Sequence, residues 1–208
     1  MPSKITNRSL EKELSSFIIK EVIKKSKPSL QKTVFAAFEK IKDEMIQEFN
    51  DHLITKEIAS GPQSSNISGT LQGNGNLFSF IGFEKNSNPI KPILDLIEKS
   101  KIEYNRSTDS GIIFTIFIPS KNDIFKVTPM PWANGRSWAE GIERGISGLG
   151  QFLYTDKAET SRSGEGIQSK GVIKGGKYKP VQYISALLKK YEKKFLQIDS
   201  KVVISKIL

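Results

Sequence analysis

Cysteine is absent from all 208 residues, and histidine occurs once, as His52. Without thiols there are no disulfides, no thiolate nucleophiles and no sulfur-ligated zinc sites. A Ser–His–Asp relay would have only His52 to rest on. That residue sits in a helical pattern beside Glu48 and Asp51, and no glycine-rich nucleophile elbow occurs elsewhere. Nothing near it supplies a second and third metal ligand, so a surface or helix-capping role is expected. No apolar run approaches the roughly 18 residues of a membrane-crossing helix. The opening residues MPSKITNRSLEKEL also lack the apolar stretch of a secretory leader. The expectation is a protein made and kept in the cytosol, or in something assembled there. Arginine, the usual base reader, is scarce beside lysine.

The remaining carboxylates form no recognisable reaction centre. Glu44, Glu48 and Asp51 fall on one helix face, where a solvated stripe is the ordinary explanation. Glu140 and Glu143 share a helix but lack the Glu-x-x-His partner of a carboxylate-bridged metal pair. Nothing indicates a carboxylate pair flanking a sugar. The expectation is a non-enzyme without cofactor or metal.

Charge is present in excess and unevenly placed. The net charge is +10. Residues 1–33 carry eight basic and three acidic side chains, residues 34–160 thirteen and sixteen, and residues 161–194 nine and two. Two basic ends flank a mildly acidic middle. That polarity suits head-to-tail contact between copies and equally suits contact with nucleic acid.

Periodicity organises the chain into an α+β expectation: an antiparallel sheet of hairpins packed against a long helix, with further helices and extended arms. The expected units are an N-terminal helical arm (1–28), a core (29–154), a basic glycine-rich arm or loop (155–180), and a C-terminal helix and tail (181–208). Leu10, Leu14, Phe17, Ile18, Val22 and Ile23 give one helix face, which Pro28 is expected to end, with Ser29 as the next N-cap. Val34, Phe38, Ile41, Met45, Phe49 and Leu53 continue as a long helix stopped by Gly61-Pro62. A short helix is expected around 92–100. A hairpin follows from Lys101–Arg106 and Gly111–Ile118, whose IIFTIFI strand is apolar enough to be covered on both faces. Residues 119–136 read as a long loop. Residues 137–154 read as a helix weakened by Gly141, Gly145 and Gly148, at roughly 1 kcal/mol each against alanine. Such a helix needs another backbone pressed close. Residues 183–197 give an amphipathic helix with Ile184, Leu187, Leu188, Tyr191 and Phe195 on one face. The closing VVISKIL is expected to add an edge strand to another chain.

The stretch SGTLQGNGNLFSFIGF (68–83) is rich in glycine and aromatics and almost free of charge. It lacks the Lys-Ser/Thr pair of a phosphate loop and the strand–helix frame of a dinucleotide fingerprint. A second hairpin turning at Gly73-Asn74-Gly75-Asn76 is expected instead. Candidate subunit-contact residues are Leu77, Phe78, Phe80, Trp132, Trp138, Gly141, Gly145 and Tyr178. Candidate contacts to nucleic acid or an acidic partner are Arg162, Lys170, Lys174, Lys177, Lys179, Lys189, Lys190, Lys193 and Lys194. Lysines there would neutralise phosphates while Tyr178, Tyr183 and Tyr191 could stack on bases, although Tyr191 shares the apolar register of its helix.

Four segments taken in order carry a family resemblance: DHLITKEIASGP, NISGTLQGNGNLFSFIGF, PWANGRSWAEGIERGISGLGQFLY and SRSGEGIQSKGVIKGGKYKPVQYISALLKKY. Over roughly residues 30–195 the chain resembles virion structural proteins of tailed bacteriophages and, more loosely, their neck and tail-completion proteins. Ser68-Gly69-Thr70-Leu71 stands where that broader family has a Thr-Gly-x-Leu-type turn. The resemblance implies a helix on a curved antiparallel sheet and a ring of copies, hexameric or dodecameric, at the head–tail joint. It also implies other neck and tail proteins as partners, location in the virion after assembly in the host cytoplasm, and no catalytic residues. The competing expectations are a sequence-neutral nucleic-acid-binding protein and a hydrolytic enzyme resting on a carboxylate pair.

Overall fold

The computed structural model describes residues 7–71, 73, 75–108, 111–131, 133–145, 153–154, 167–168, 180–198 and 202–207. The fold is α+β. Its spine is α1 (Asn7–Asp51), followed by α2 (Leu53–Ala59), a short 3-10 turn (Gly61–Gln63), α3 (Leu77–Ile81) and α4 (Lys91–Glu98). Strands β1 (Lys101–Thr108) and β2 (Gly111–Pro119) come next, then α5 (Lys121–Lys126), β3 (Pro129–Met130), β4 (Ala133–Ser137) and α6 (Trp138–Arg144). The two-residue strands β5 (Leu153–Tyr154) and β6 (Ile167–Gln168), α7 (Ile184–Leu196) and β7 (Val202–Ile207) complete the order.

Pro28 does not end a helix: it lies inside the 45-residue α1, and Ser29 is an internal residue rather than a cap. A proline in a helix interior removes one backbone bond and costs about 3 kcal/mol in general. Here the surrounding turn is exposed, so water reaches the carbonyl that loses its donor. Within the next two turns, Leu30 and Val34 hold the helix to the core. The break comes instead at His52, whose backbone is extended (ψ 133°) and whose Nδ1 accepts from the Ile54 amide at 3.2 Å, capping α2.

The hairpin at 101–119 is present, with Lys101 opposite Phe117 and Thr108 opposite Gly111, and with a bulge between Tyr104 and Arg106. Alternation decides its faces. Ile112, Phe114, Ile116 and Ile118 are buried, whereas Ile113, Thr115 and Phe117 are only half-buried, so the second face is not fully covered as IIFTIFI suggested. The sheet packs on α1, with Phe35 edge-on to Phe114 at 6.3 Å. β2 is the central strand. β7 runs parallel to it, Phe114 opposite Val202 and Pro119 opposite Ile207. The C-terminal residues expected to extend another chain's sheet therefore extend the sheet of their own.

The second hairpin does not form. Asn76 caps α3 by accepting from the Ser79 amide at 2.8 Å, and Gly82 ends that helix in the left-handed conformation at φ 85°. Leu77, Phe78, Phe80 and Ile81 are all buried, which two-fold strand alternation would not achieve on a half-covered surface. The expected loop at 119–136 contains α5, opened by a Ser120/Asp123 capping box, and the β3–β4 pair. The helix expected over 137–154 ends at Arg144, because Gly145 takes φ 92° and ψ 135°; residues 146–152 lie outside the described residues.

Candidate assembly surfaces

Helix α7 lies along the C-terminal half of α1. Phe195 stacks on Phe38 with ring centroids 5.2 Å apart, and Phe49 stacks on Tyr183 at 6.1 Å. The Tyr183 and Thr55 hydroxyls meet at 2.6 Å inside this contact, and burial pushes the Tyr183 phenol well up. At the edge of the seam the acidic stripe of α1 meets the basic face of α7. Lys190 Nζ donates to Glu48 Oε2 at 2.5 Å, Lys194 Nζ to Glu44 Oε2 at 2.8 Å, and the Tyr191 hydroxyl reaches Glu48 Oε2 at 2.8 Å. The Lys194 hydrogen bond and charge hold the Glu44 carboxyl below its ordinary range. For Glu48, burial pushes upward, but hydrogen bonds from Lys190 and Tyr191 and the lysine charges outweigh it, and the carboxyl is held low. The stripe and the lysines, read separately from sequence, answer one another. Lys189 and Lys193 remain exposed on the outer face of α7.

The glycine-rich stretch is organised by a carboxylate that periodicity did not single out. Glu57 is fully buried. Its Oε1 accepts from the Leu77 amide at 2.7 Å and from Asn66 Nδ2 at 2.9 Å, and its Oε2 accepts from the Ser68 amide at 2.8 Å. Asn66 Oδ1 in turn accepts from the amides of Leu71 (3.0 Å) and Gly73 (3.1 Å). A buried backbone needs its polar groups satisfied; here one carboxylate and one amide do the work of a strand ladder. The available signal was position, since Glu57 lies three residues after Ile54 and one before Ile58, on the apolar face of α2.

The contact residues expected from sequence separate into three groups. Leu77, Phe78, Phe80 and Trp138 are buried in the chain's own core, between 0 and 4 % exposed, and so offer no surface to a neighbour; Phe83 meets the Trp138 ring edge-on at 5.6 Å. Gly141 and Gly145 flank a shallow cleft lined also by Arg136 and Arg144. A Cβ at Gly145 would lie 3.7 Å from Pro180 Cγ of the same chain. Trp132, Tyr178, Arg162, Lys170, Lys174, Lys177 and Lys179 lie outside the described residues. Of the lysines on α7, Lys190 and Lys194 are engaged in the seam. Glu140 pairs with Arg144 at 2.9 Å, and Glu143 accepts from the Ser185 amide at 2.6 Å, holding the first turn of α7.

The surface left open is the arm. Between Leu14 and Ser26 no described side chain of α1 is buried. Leu14, Phe17, Ile18 and Val22 form an apolar stripe between 52 and 62 % exposed. Cover begins only at Lys27, whose Nζ sits 3.8 Å above the Tyr104 ring, and at Leu30. At a rise of about 1.5 Å per residue, Asn7–Ser26 extends roughly 30 Å along the helix axis ahead of that cover. Among the described residues no group of three or more acidic or histidine side chains could hold a metal ion, and no helix is long and apolar enough to cross a membrane. Chemically, the surfaces offer adhesion through an apolar stripe and charged faces.

Comparison of the chain with protein-family models, with curated proteins and with solved structures finds no match.

Proposed function

We propose that this chain is a structural subunit of a tailed-bacteriophage virion, one of several copies forming a ring at the neck, where head and tail join. The observation that carries the assembly reading is the arm of α1. Four large apolar side chains at helical spacing are left open on a helix whose other half is packed into a core. Exposed apolar patches of this kind mark association surfaces. The placement of the ring at the neck is supported by the sequence resemblance, and the charge polarity of the chain suits contacts between unlike faces of identical copies. Sedimentation velocity and negative-stain microscopy of concentrated protein test the reading. Closed rings are the expected result, and a species that stays monomeric at every concentration would refute it.

A second reading, sequence-neutral binding of nucleic acid, draws on one observation: Lys189 and Lys193 stand exposed side by side on the outer face of α7. It predicts retention on DNA that weakens steeply with salt. The engagement of Lys190 and Lys194 with Glu48 and Glu44 halves the cationic face available for it.

A further inference from the structure

The solvent face of the second half of α1 carries an open groove of about 920 Å³, bordered on one side by Tyr191 of α7. Its walls are two parallel rows at helical spacing, one from Ala36 to Glu48 and one from Glu39 to Asp51. We propose that this groove receives the arm of α1 from a neighbouring copy of the same chain. The proposal rests on the assembly reading above and names the contact through which copies would join.

Shape selects the arm as occupant. Leu14, Ile18 and Val22 are spaced by four, a ridge of the i±4 kind, and the groove is the furrow between two i±4 rows. Ridges of that kind interdigitate with helices crossing at roughly 50°. A crossing contact covers only a few turns, and the exposed stripe is nine residues long. The arm cannot fill its own groove, because both lie on one unbroken helix. The visitor must come from another molecule.

Charge selects a second copy. Within α1, residues 7–33 carry seven basic and three acidic side chains, whereas residues 34–51 carry two and five. Stacking arm on arm would set lysines against lysines, whereas the groove lining carries five carboxylates and one lysine, Lys40, with Glu44 and Glu48 already held by Lys194 and Lys190. Asp43, midway along one wall, is in no ion pair among the described residues, while Glu39 and Asp51 hold Lys42 and Lys56. Lys25 on the arm is exposed. Area argues in the same direction. Four half-exposed side chains pressed against their counterparts fall short of the roughly 800 Å² per partner of a stable interface. An arm whose ridge sits on the groove floor and whose lysines reach the rim buries more. Because arm and groove are different patches, the contact is heterologous and propagates from copy to copy until it closes.

The chain has no cysteine, so single introduced thiols report cleanly. Full-length Ile18→Cys and Asp43→Cys proteins, mixed under mild oxidation, are expected to give a cross-linked pair in greater yield than either variant alone. In parallel, Lys25→Glu or Asp43→Lys alone is expected to weaken self-association about tenfold or more, and mixing the two variants to recover part of it. Unchanged circular dichroism checks that both fold. Ile18→Cys joining to itself and not to Asp43→Cys would overturn the proposal in favour of arm-on-arm pairing. Rings that form normally with both charge variants, without the mixed cross-link, would overturn it while leaving the assembly reading standing. A wild-type chain that never associates would overturn both.

Discussion

The two halves of α1 have the same apolar periodicity and opposite fates. From Val34 to Phe49 the stripe is sealed: Phe38, Met45 and Phe49 have no exposed surface. On the arm, Leu14, Phe17, Ile18 and Val22 are each more than half exposed. Helical amphipathicity thus states that a face is meant to be covered and leaves the cover unnamed. In the second half the cover comes from the same chain, through α7, α4 and the β1–β2 hairpin. In the first half no part of the described chain supplies it.

Paired substitutions of one residue type on this one helix give the sharpest break between the halves. Phe49→Ala empties a fully buried site stacked on Tyr183 and is expected to cost about 3–5 kcal/mol. Phe17→Ala is expected to leave the stability of the isolated subunit within about 0.5 kcal/mol. Urea denaturation at a protein concentration too low for association measures both. A comparable loss at Phe17 would mean that the arm is covered within a single chain and that the contrast between the halves is false.

Next in size is the polar core beneath the glycine-rich stretch. Glu57→Gln keeps one acceptor and loses the charge and the second oxygen. It leaves the Leu77 or Ser68 amide poorly satisfied, at an expected cost of about 1–3 kcal/mol. Hydrogen exchange at those two amides should quicken more than exchange in α7. Uniform loss across the molecule would instead mark Glu57 as ordinary packing. A similar cost, about 1–3 kcal/mol, is expected for Gly145→Ala. The space beside Gly145 admits a methyl group, with Pro180 Cγ at 3.7 Å, so the cost comes from φ 92° and not from collision.

What could be read in advance follows the range of the forces involved. The 101–119 hairpin and α7 were legible because each is declared locally, by alternation or by amphipathic spacing, whereas the break at His52 was not, because the apolar stripe runs on through it to Leu53. Residues 77–81 were misread because glycine and asparagine before a run of phenylalanines suit a hairpin turn as well as an N-cap. Glu57, twenty residues upstream, decides between them. Pro28 was misread because a local penalty of a few kcal/mol is overridden when the helix is gripped by packing just beyond it. The seam between α1 and α7 joins residues more than 130 positions apart, and neither the acidic stripe nor the lysines pointed to the other. The open arm was legible as a helix, but that it would be uncovered was not, since periodicity is the same on a buried face.

The smallest expected effect concerns pH and separates the interior seam from its exposed rim. His52 is partly buried against the Tyr183 ring, with centroids 4.8 Å apart. Burial lowers its pKa from the ordinary 6.5, while the charge of Glu48 opposes the shift. The neutral ring is also the form whose Nδ1 can accept from Ile54. The unfolded chain therefore binds the proton more readily than the folded one. Stability from this group is complete above pH 6.5 and declines as pH falls from there toward the folded value. Glu44, Glu48 and Asp51 are also held low, so their contributions persist through that window and fade only below the ordinary carboxylate range near 4.5. Urea midpoints at pH 7.5 and 5.5 should accordingly differ in the native chain. In His52→Asn, which keeps an oxygen to cap α2, the difference should shrink, with the fall below pH 4.5 unchanged. An identical slope in both proteins would place the titrating group elsewhere, and the seam would then owe nothing to a neutral imidazole.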